Sequence, residues 1–241
     1  MSVAPFLKSP QNDAEISFSQ EGFLIGFRQS IPIGLSVFAY GLVFGVLARQ
    51  AGLSLTESVI MSGLVFAGAS QFAAVALWQM PLPVTAIIIT TLVINLRHIL
   101  MGAALYPWFS KMPRVKAYGS LFFMNDESWA LTMASLTRGE KNGAFLLGSG
   151  LIVFMFWLAA TIIGRTLGSV LQDPSLWGLD FAFTAVFLAL LVGFWKGKKD
   201  VLPWAVAAVV SLAASHWLPG KWYIVLGGLV GSCVGAVRHA E

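Results

Sequence analysis

An all-α integral membrane protein of about seven or eight transmembrane segments is the fold class this sequence predicts, and three observations predict it. Hydrophobic residues make up 57% of the 241 and charged residues only 11%, where a water-soluble domain carries about 25% charge to cover its surface. The charges are also confined to short groups. Between Thr56 and Phe109 the only Asp, Glu, Lys or Arg are Glu57 and Arg97, and others gather at Lys111-Met112-Pro113-Arg114-Val115-Lys116, at 138–141 and at 196–200. Finally, the runs between these groups are continuously apolar, which suits helices; strands of a membrane barrel would alternate over about ten residues.

Taken in order, residues 1–21 form a polar tail. Pro5 and Pro10 oppose a continuous helix there, and Asp13 and Glu15 rule out the apolar core of a signal peptide. Residues 22–241 form a single transmembrane domain. A bilayer core about 30 Å thick requires about 20 apolar residues per helix. Runs of that kind lie at approximately 29–48, 58–78, 82–106, 118–137, 144–172, 180–195, 200–217 and 222–238. The sixth is short, and the fifth is long enough to tilt or bend. None of the ten prolines falls in the middle of a run; Pro32, Pro107 and Pro203 stand at or near ends, where a helix tolerates them.

Orientation is weakly set. With eight spans and an inside N-terminus, eight Lys or Arg residues fall inside and six outside, the latter including Arg49 and Arg165. A broken or re-entrant segment before residue 111 would bring the 111–116 group inside.

Several function classes are excluded or disfavoured. The net charge of +4 reflects loop cations that orient the chain; no basic stripe with interleaved aromatics suggests nucleic acid. The single cysteine, Cys233, permits no intrachain disulfide and no CxxC metal motif. No GxxxxGK[ST] phosphate loop occurs, so nothing here hydrolyses ATP. Ser70 and His98 resemble a nucleophile and base only by residue type, since no GxSxG or HExxH motif accompanies them. No cofactor or metal site is expected.

Three polar constellations lie inside the apolar runs, where ionisable groups cost at least about 2.5–3.5 kcal/mol each. The first is Phe66-Ala67-Gly68-Ala69-Ser70-Gln71-Phe72. Its small residues permit local unwinding beside a helix N-terminus, a means of holding a carboxylate, or else a tight contact between helices. The second is Asn95-Leu96-Arg97-His98. Asn95 and His98 share a helical face and Arg97 projects elsewhere; an unperturbed imidazole has a pKa of about 6.5, so His98 is of a residue type that suits proton transfer. Arg97 either serves a cavity or pins broken helices through carbonyls. The third is Asn125-Asp126-Glu127, whose acids point about 100° apart. They serve a charge or proton pathway, or are solvated at an interface. In addition, Gly227, Gly231 and Gly235 form a stripe for close helix packing, within the chain or against another subunit.

These constellations, in this order on a chain of this length, resemble the AzlC family from about residue 22 onward. The specific stretches are Glu57-Ser58, Phe66 to Phe72, Asn95 to His98 and Asn125 to Glu127, with support from Trp177-Gly178-Leu179-Asp180-Phe181-Ala182. Two positions depart from the family pattern: Asn125 stands where relatives commonly carry Thr, and Met101 where they often carry Tyr. The resemblance implies a multi-pass protein of the bacterial inner membrane that exports valine, leucine, isoleucine and methionine. It also implies a small, roughly four-helix membrane partner of the AzlD type.

On this reading the chain is a secondary exporter. Gly68, Ala69, Ser70, Gln71 and Asn95 bind substrate, with the carboxylate in the 68–71 cradle. Asp126 or Glu127 takes the ammonium or a coupling proton, and Arg97 and His98 complete the charge pathway. The competing expectations are a transporter or channel for another small solute, and an assembly subunit whose partner forms the pathway.

Overall fold

The computed structural model describes residues 16–170, 188, 192, 195, 197–218 and 222–240. The described residues are helical, with one isolated bridge between Ser17 and Asn142 and no named strand. Most of the expected sixth run, the Trp177–Ala182 stretch and residues 1–15 of the tail lie outside them.

Within the expected tail, Ser17 pairs with Asn142, and Gln20 and Glu21 begin a helix. Residues Ser17 and Ser19 are tied to the 141–143 turn, with Ser17 N–H donating to the Lys141 carbonyl at 2.9 Å and Asn142 Nδ2 to Ser19 Oγ at 2.7 Å. Ser19 then caps α1 (Gln20–Gln29) by accepting from the Gly22 N–H, with Glu21 in the first turn and Arg28 in the last complementing the helix dipole. Ser30 ends α1, and α2 (Ile31–Gln50) starts with Pro32 in its first turn. A tight turn follows, where Gly52 adopts φ +89°.

Helix α3 (Leu55–Val65) opens with a capping box between Ser54 and Glu57. The expected 58–78 run is not one helix. It breaks at Phe66-Ala67 and resumes as α4 (Gly68–Ala76). The long α5 (Val84–Phe109) carries Pro107 in its last turn. The expected 118–137 run is broken in the same manner, into α6 (Arg114–Phe122) and α7 (Asp126–Thr137). Continuing along the chain are α8 (Ala144–Val170), a 3-10 turn at Lys198–Asp200, α9 (Val201–Trp217) and α10 (Trp222–Ala240).

Among the described residues, four helical stretches are long and apolar enough to cross a membrane: Ile31–Gln50, Val84–Phe109, Ala144–Gly168 and Lys198–Trp217; Leu55–Val65 and Leu226–Val237 are shorter apolar helices. On α5, Ile88, Leu92, Leu96 and Ile99 are all more than half exposed. A stripe of that kind at helical spacing is stable only against lipid or another protein.

The chain divides into two compact units. One comprises residues 1–31 and 101–152, the other 32–100 and 153–241. In the first, Met101, Leu105 and Phe109 of α5 form a core with Ala117, Leu136 and Leu146, and the Trp129 indole N–H donates to the Met101 carbonyl at 3.1 Å.

In the second unit, α2 and α8 lie close because glycines replace side chains at the contact. A Cβ on Gly41 would meet Ala160 Cβ at 2.7 Å, one on Gly45 would meet the Thr161 carbonyl at 2.5 Å, and one on Gly168 would meet Arg49 Cβ at 3.3 Å. The partners ascend together along both chains, so α2 and α8 run parallel. In the same unit Gly227 and Gly231 face α9. Cβ atoms there would meet Ser211 and Ala207, while one on Gly235 would have ordinary contact with Pro203 at 3.7 Å. That face of α10 is therefore occupied by this chain's own helix.

Candidate functional site

The first polar constellation sits at the break between α3 and α4. Phe66 adopts φ 23° and ψ 53°, a region that costs a non-glycine residue strain of about 1–3 kcal/mol. It is held there by burial and by an edge-on contact with Phe154 at 5.1 Å. Helix α4 then begins at Gly68 with no side-chain cap, since its N-cap residue is Ala67. Its first-turn N–H groups face outward along the axis with partial positive charge. A Cβ at Gly68 would lie 3.3 Å from the Trp157 indole, a tight contact that the ring would have to relieve by a few tenths of an ångström. That indole stacks on Phe44 at 5.4 Å and meets Phe72 edge-on at 6.3 Å.

Ser70 and Gln71, both fully buried, open two hydrogen-bond chains whose direction can be assigned. Thr161 Oγ1 donates to the Trp157 carbonyl at 2.9 Å, so its hydrogen is committed. Ser62 Oγ, 2.9 Å from Thr161 Oγ1, must then donate to it. Only the lone pairs of Ser62 remain, and Gln71 Nε2 donates to them at 3.2 Å. Likewise Ser70 Oγ donates to the Ala67 carbonyl at 2.9 Å and accepts from Asn95 Nδ2 at 3.3 Å. Both amides are therefore obliged to turn their nitrogens toward hydroxyls. Their oxygens, Gln71 Oε1 and Asn95 Oδ1, are buried with no hydrogen-bond partner among the described residues, as is the Trp157 indole nitrogen. Each such orphan costs about 1–3 kcal/mol, and native proteins tolerate few of them without a ligand or water to satisfy them.

The Asn95–Ser70 hydrogen bond joins the first two constellations. Gly68, Ala69, Ser70, Gln71 and Asn95 thus belong to one cluster. Arg97 and His98, farther along α5, are half-buried in the same unit.

The third constellation lies in the other unit and is not in mid-helix. Asn125 is the N-cap of α7, accepting from the Ser128 N–H at 2.7 Å while Ser128 Oγ accepts from the Asn125 N–H at 3.0 Å. Asp126 and Glu127 follow in the first turn, half-buried and exposed respectively, where the helix dipole favours negative charge.

The two breaks consequently differ in electrostatic character: α4 opens uncapped and neutral, α7 capped and acidic. Ser62, Trp157 and Thr161 are members of the cluster that the sequence reading did not include. Their signal was a polar residue four positions from another polar or aromatic one in an apolar run, as at Ser58/Ser62 and Trp157/Thr161. No group of His, Cys, Asp and Glu able to hold a metal occurs among the described residues.

Residues 32–171 match the family model described as AzlC protein. The chain is 35% identical to an uncharacterized membrane protein of Archaeoglobus fulgidus, over 73% of this chain and 77% of that one. It is 28% identical to inner membrane protein YgaZ of Escherichia coli, covering 90% and 91%. It is also 28% identical to branched-chain amino acid transport protein AzlC of Bacillus subtilis, covering 83% and 80%. No solved structure is similar to it.

Proposed function

The chain belongs to the AzlC family, and from that premise we propose that it is a secondary exporter of branched-chain amino acids in the bacterial inner membrane. Family membership makes it a membrane transport protein and not an enzyme. Cargo, direction and partner are our reading. The observation that carries the cargo is the pair of bare amide oxygens, Gln71 Oε1 and Asn95 Oδ1, beside an uncapped helix N-terminus.

An amino acid zwitterion presents one group for each. Its carboxylate suits the N–H groups of Gly68, Ala69 and Ser70, and its ammonium suits oxygens that have nothing to accept from. Phe44, Phe72 and Trp157 form an apolar surround for an aliphatic tail. An apolar pocket distinguishes one methylene by only about 1–3 kcal/mol, so valine, leucine, isoleucine and methionine should all be accepted.

Asp126 and Glu127 supply charge or a coupling proton along the transport path, with Arg97 and His98 as the other ionisable members. A small AzlD-type membrane protein completes the transporter. The relative named for branched-chain amino acid transport supports this choice of cargo.

The test is efflux of preloaded radiolabelled valine or leucine from cells lacking other exporters. Faster efflux should require this chain together with the small partner. Unchanged efflux with both proteins in the membrane would remove branched-chain amino acids as the cargo.

A further inference from the structure

Arg49 and Arg165 form a separate polar feature of the same unit, at the ends of the parallel helices α2 and α8. Arg165 stands in the last turn of the apolar stretch of α8 and is only 9% exposed. Its Nε donates to the Leu53 carbonyl at 2.8 Å, and neither terminal guanidinium nitrogen has a hydrogen-bond partner among the described residues. The charge that acts on it is another cation, Arg49, whose stem packs over Gly168 one turn farther along α8. Neither arginine is paired with a carboxylate among the described residues. Among the described acids the nearest in sequence, Glu57, is exposed and engaged by the Ser54 N–H at 2.7 Å in the capping box of α3, while Asp173, eight residues after Arg165, lies outside the described residues.

A buried guanidinium beside a like charge is unfavourable unless an anion lies against both. The Leu53 carbonyl and the C-terminal dipole of α8 offer only partial negative charge. Both apolar helices end at this level, where a span passes into the headgroup layer. Guanidinium groups match phosphate oxygens in geometry as well as charge. We infer that Arg49 and Arg165 bind a phosphate group at this end of α2 and α8, carried by an anionic phospholipid or present as the free ion.

Native mass spectrometry of the full-length protein from phosphatidylcholine nanodiscs tests this, with phosphatidylglycerol or inorganic phosphate added in separate arms. The expected result is preferential retention of one phosphatidylglycerol molecule. Arg49→Gln, at an exposed position, should weaken that retention about fivefold, and adding Arg165→Gln should weaken it about fivefold more. Arginine-dependent retention of phosphate without phosphatidylglycerol would assign the site to the free ion. Equal retention of both lipids with no bound phosphate would overturn the inference. So would phosphatidylglycerol retention unaffected by Arg49→Gln, which does not depend on whether the Arg165 variant folds.

Discussion

At the residue scale, the informative atoms are the ones that fail to make a hydrogen bond. Because the hydrogens of Ser70, Ser62 and Thr161 are all committed, the amides of Gln71 and Asn95 cannot satisfy both ends at once. Replacing either by Leu removes one hydrogen bond of about 1 kcal/mol and one orphaned oxygen that costs about 1–3 kcal/mol. Thermal stability of Gln71→Leu and Asn95→Leu should therefore be retained while transport falls about tenfold, which corresponds to about 1.4 kcal/mol. Stability lost in step with transport would make these residues structural.

Gly68→Val should lower stability as well as transport. Its branches would enter the Trp157 indole, and the cost of overpacking, about 1–3 kcal/mol, should appear as a lowered melting temperature. At the other break, combining Asp126→Asn with Glu127→Gln should depress transport. Normal rates in that double variant would remove the acids from the pathway.

At the element scale, the close helix contacts carry the predictions. On α10, Gly231→Leu should destabilise the protein by about 1–3 kcal/mol, since even its Cβ would come within 2.7 Å of Ala207 Cβ. Gly228→Leu, three residues earlier with nothing within 4 Å, should cost little. Unfolding midpoints of the two variants check the contrast. The parallel course of α2 and α8 also constrains topology: an odd number of the α3–α4, α5 and α6–α7 segments must cross the membrane between them. A re-entrant α3–α4 alone is thereby ruled out as a way of bringing residues 111–116 inside. In a Cys233→Ser background, Gln50→Cys and Leu167→Cys should be labelled from the same side by an impermeant maleimide; labelling from opposite sides would contradict the parallel arrangement.

At the scale of the whole molecule, hydropathy located the long helices closely: 29–48 became Ile31–Gln50, 82–106 became Val84–Phe109, and 144–172 became Ala144–Val170. Hydropathy did not show the two breaks, because Phe66, Ala67 and Phe123 are as apolar as their neighbours and the interruption is conformational; it was the small residues from Ala67 to Ser70 that marked the first as a place for local unwinding. It also passed over α1, whose capped, mixed-polarity sequence lacks the continuous apolar run that marks a span. In the site, Gly68 to Gln71 and Asn95 were visible as polar residues in apolar surroundings. Ser62 and Thr161 were not distinguished, since a lone hydroxyl in a membrane helix usually satisfies itself on its own backbone, and only the tertiary pairing of α3 with α8 makes these two a relay.

The most direct test of the central claim, a zwitterion held at the α3–α4 break, is binding of radiolabelled leucine to the purified protein in nanodiscs. Intact protein, Asn95→Leu and Gln71→Leu would be compared at matched thermal stability, with the small partner present. The account predicts saturable binding, displaced by valine and isoleucine, that weakens about tenfold in each variant. Binding of equal strength in all three would place the substrate elsewhere.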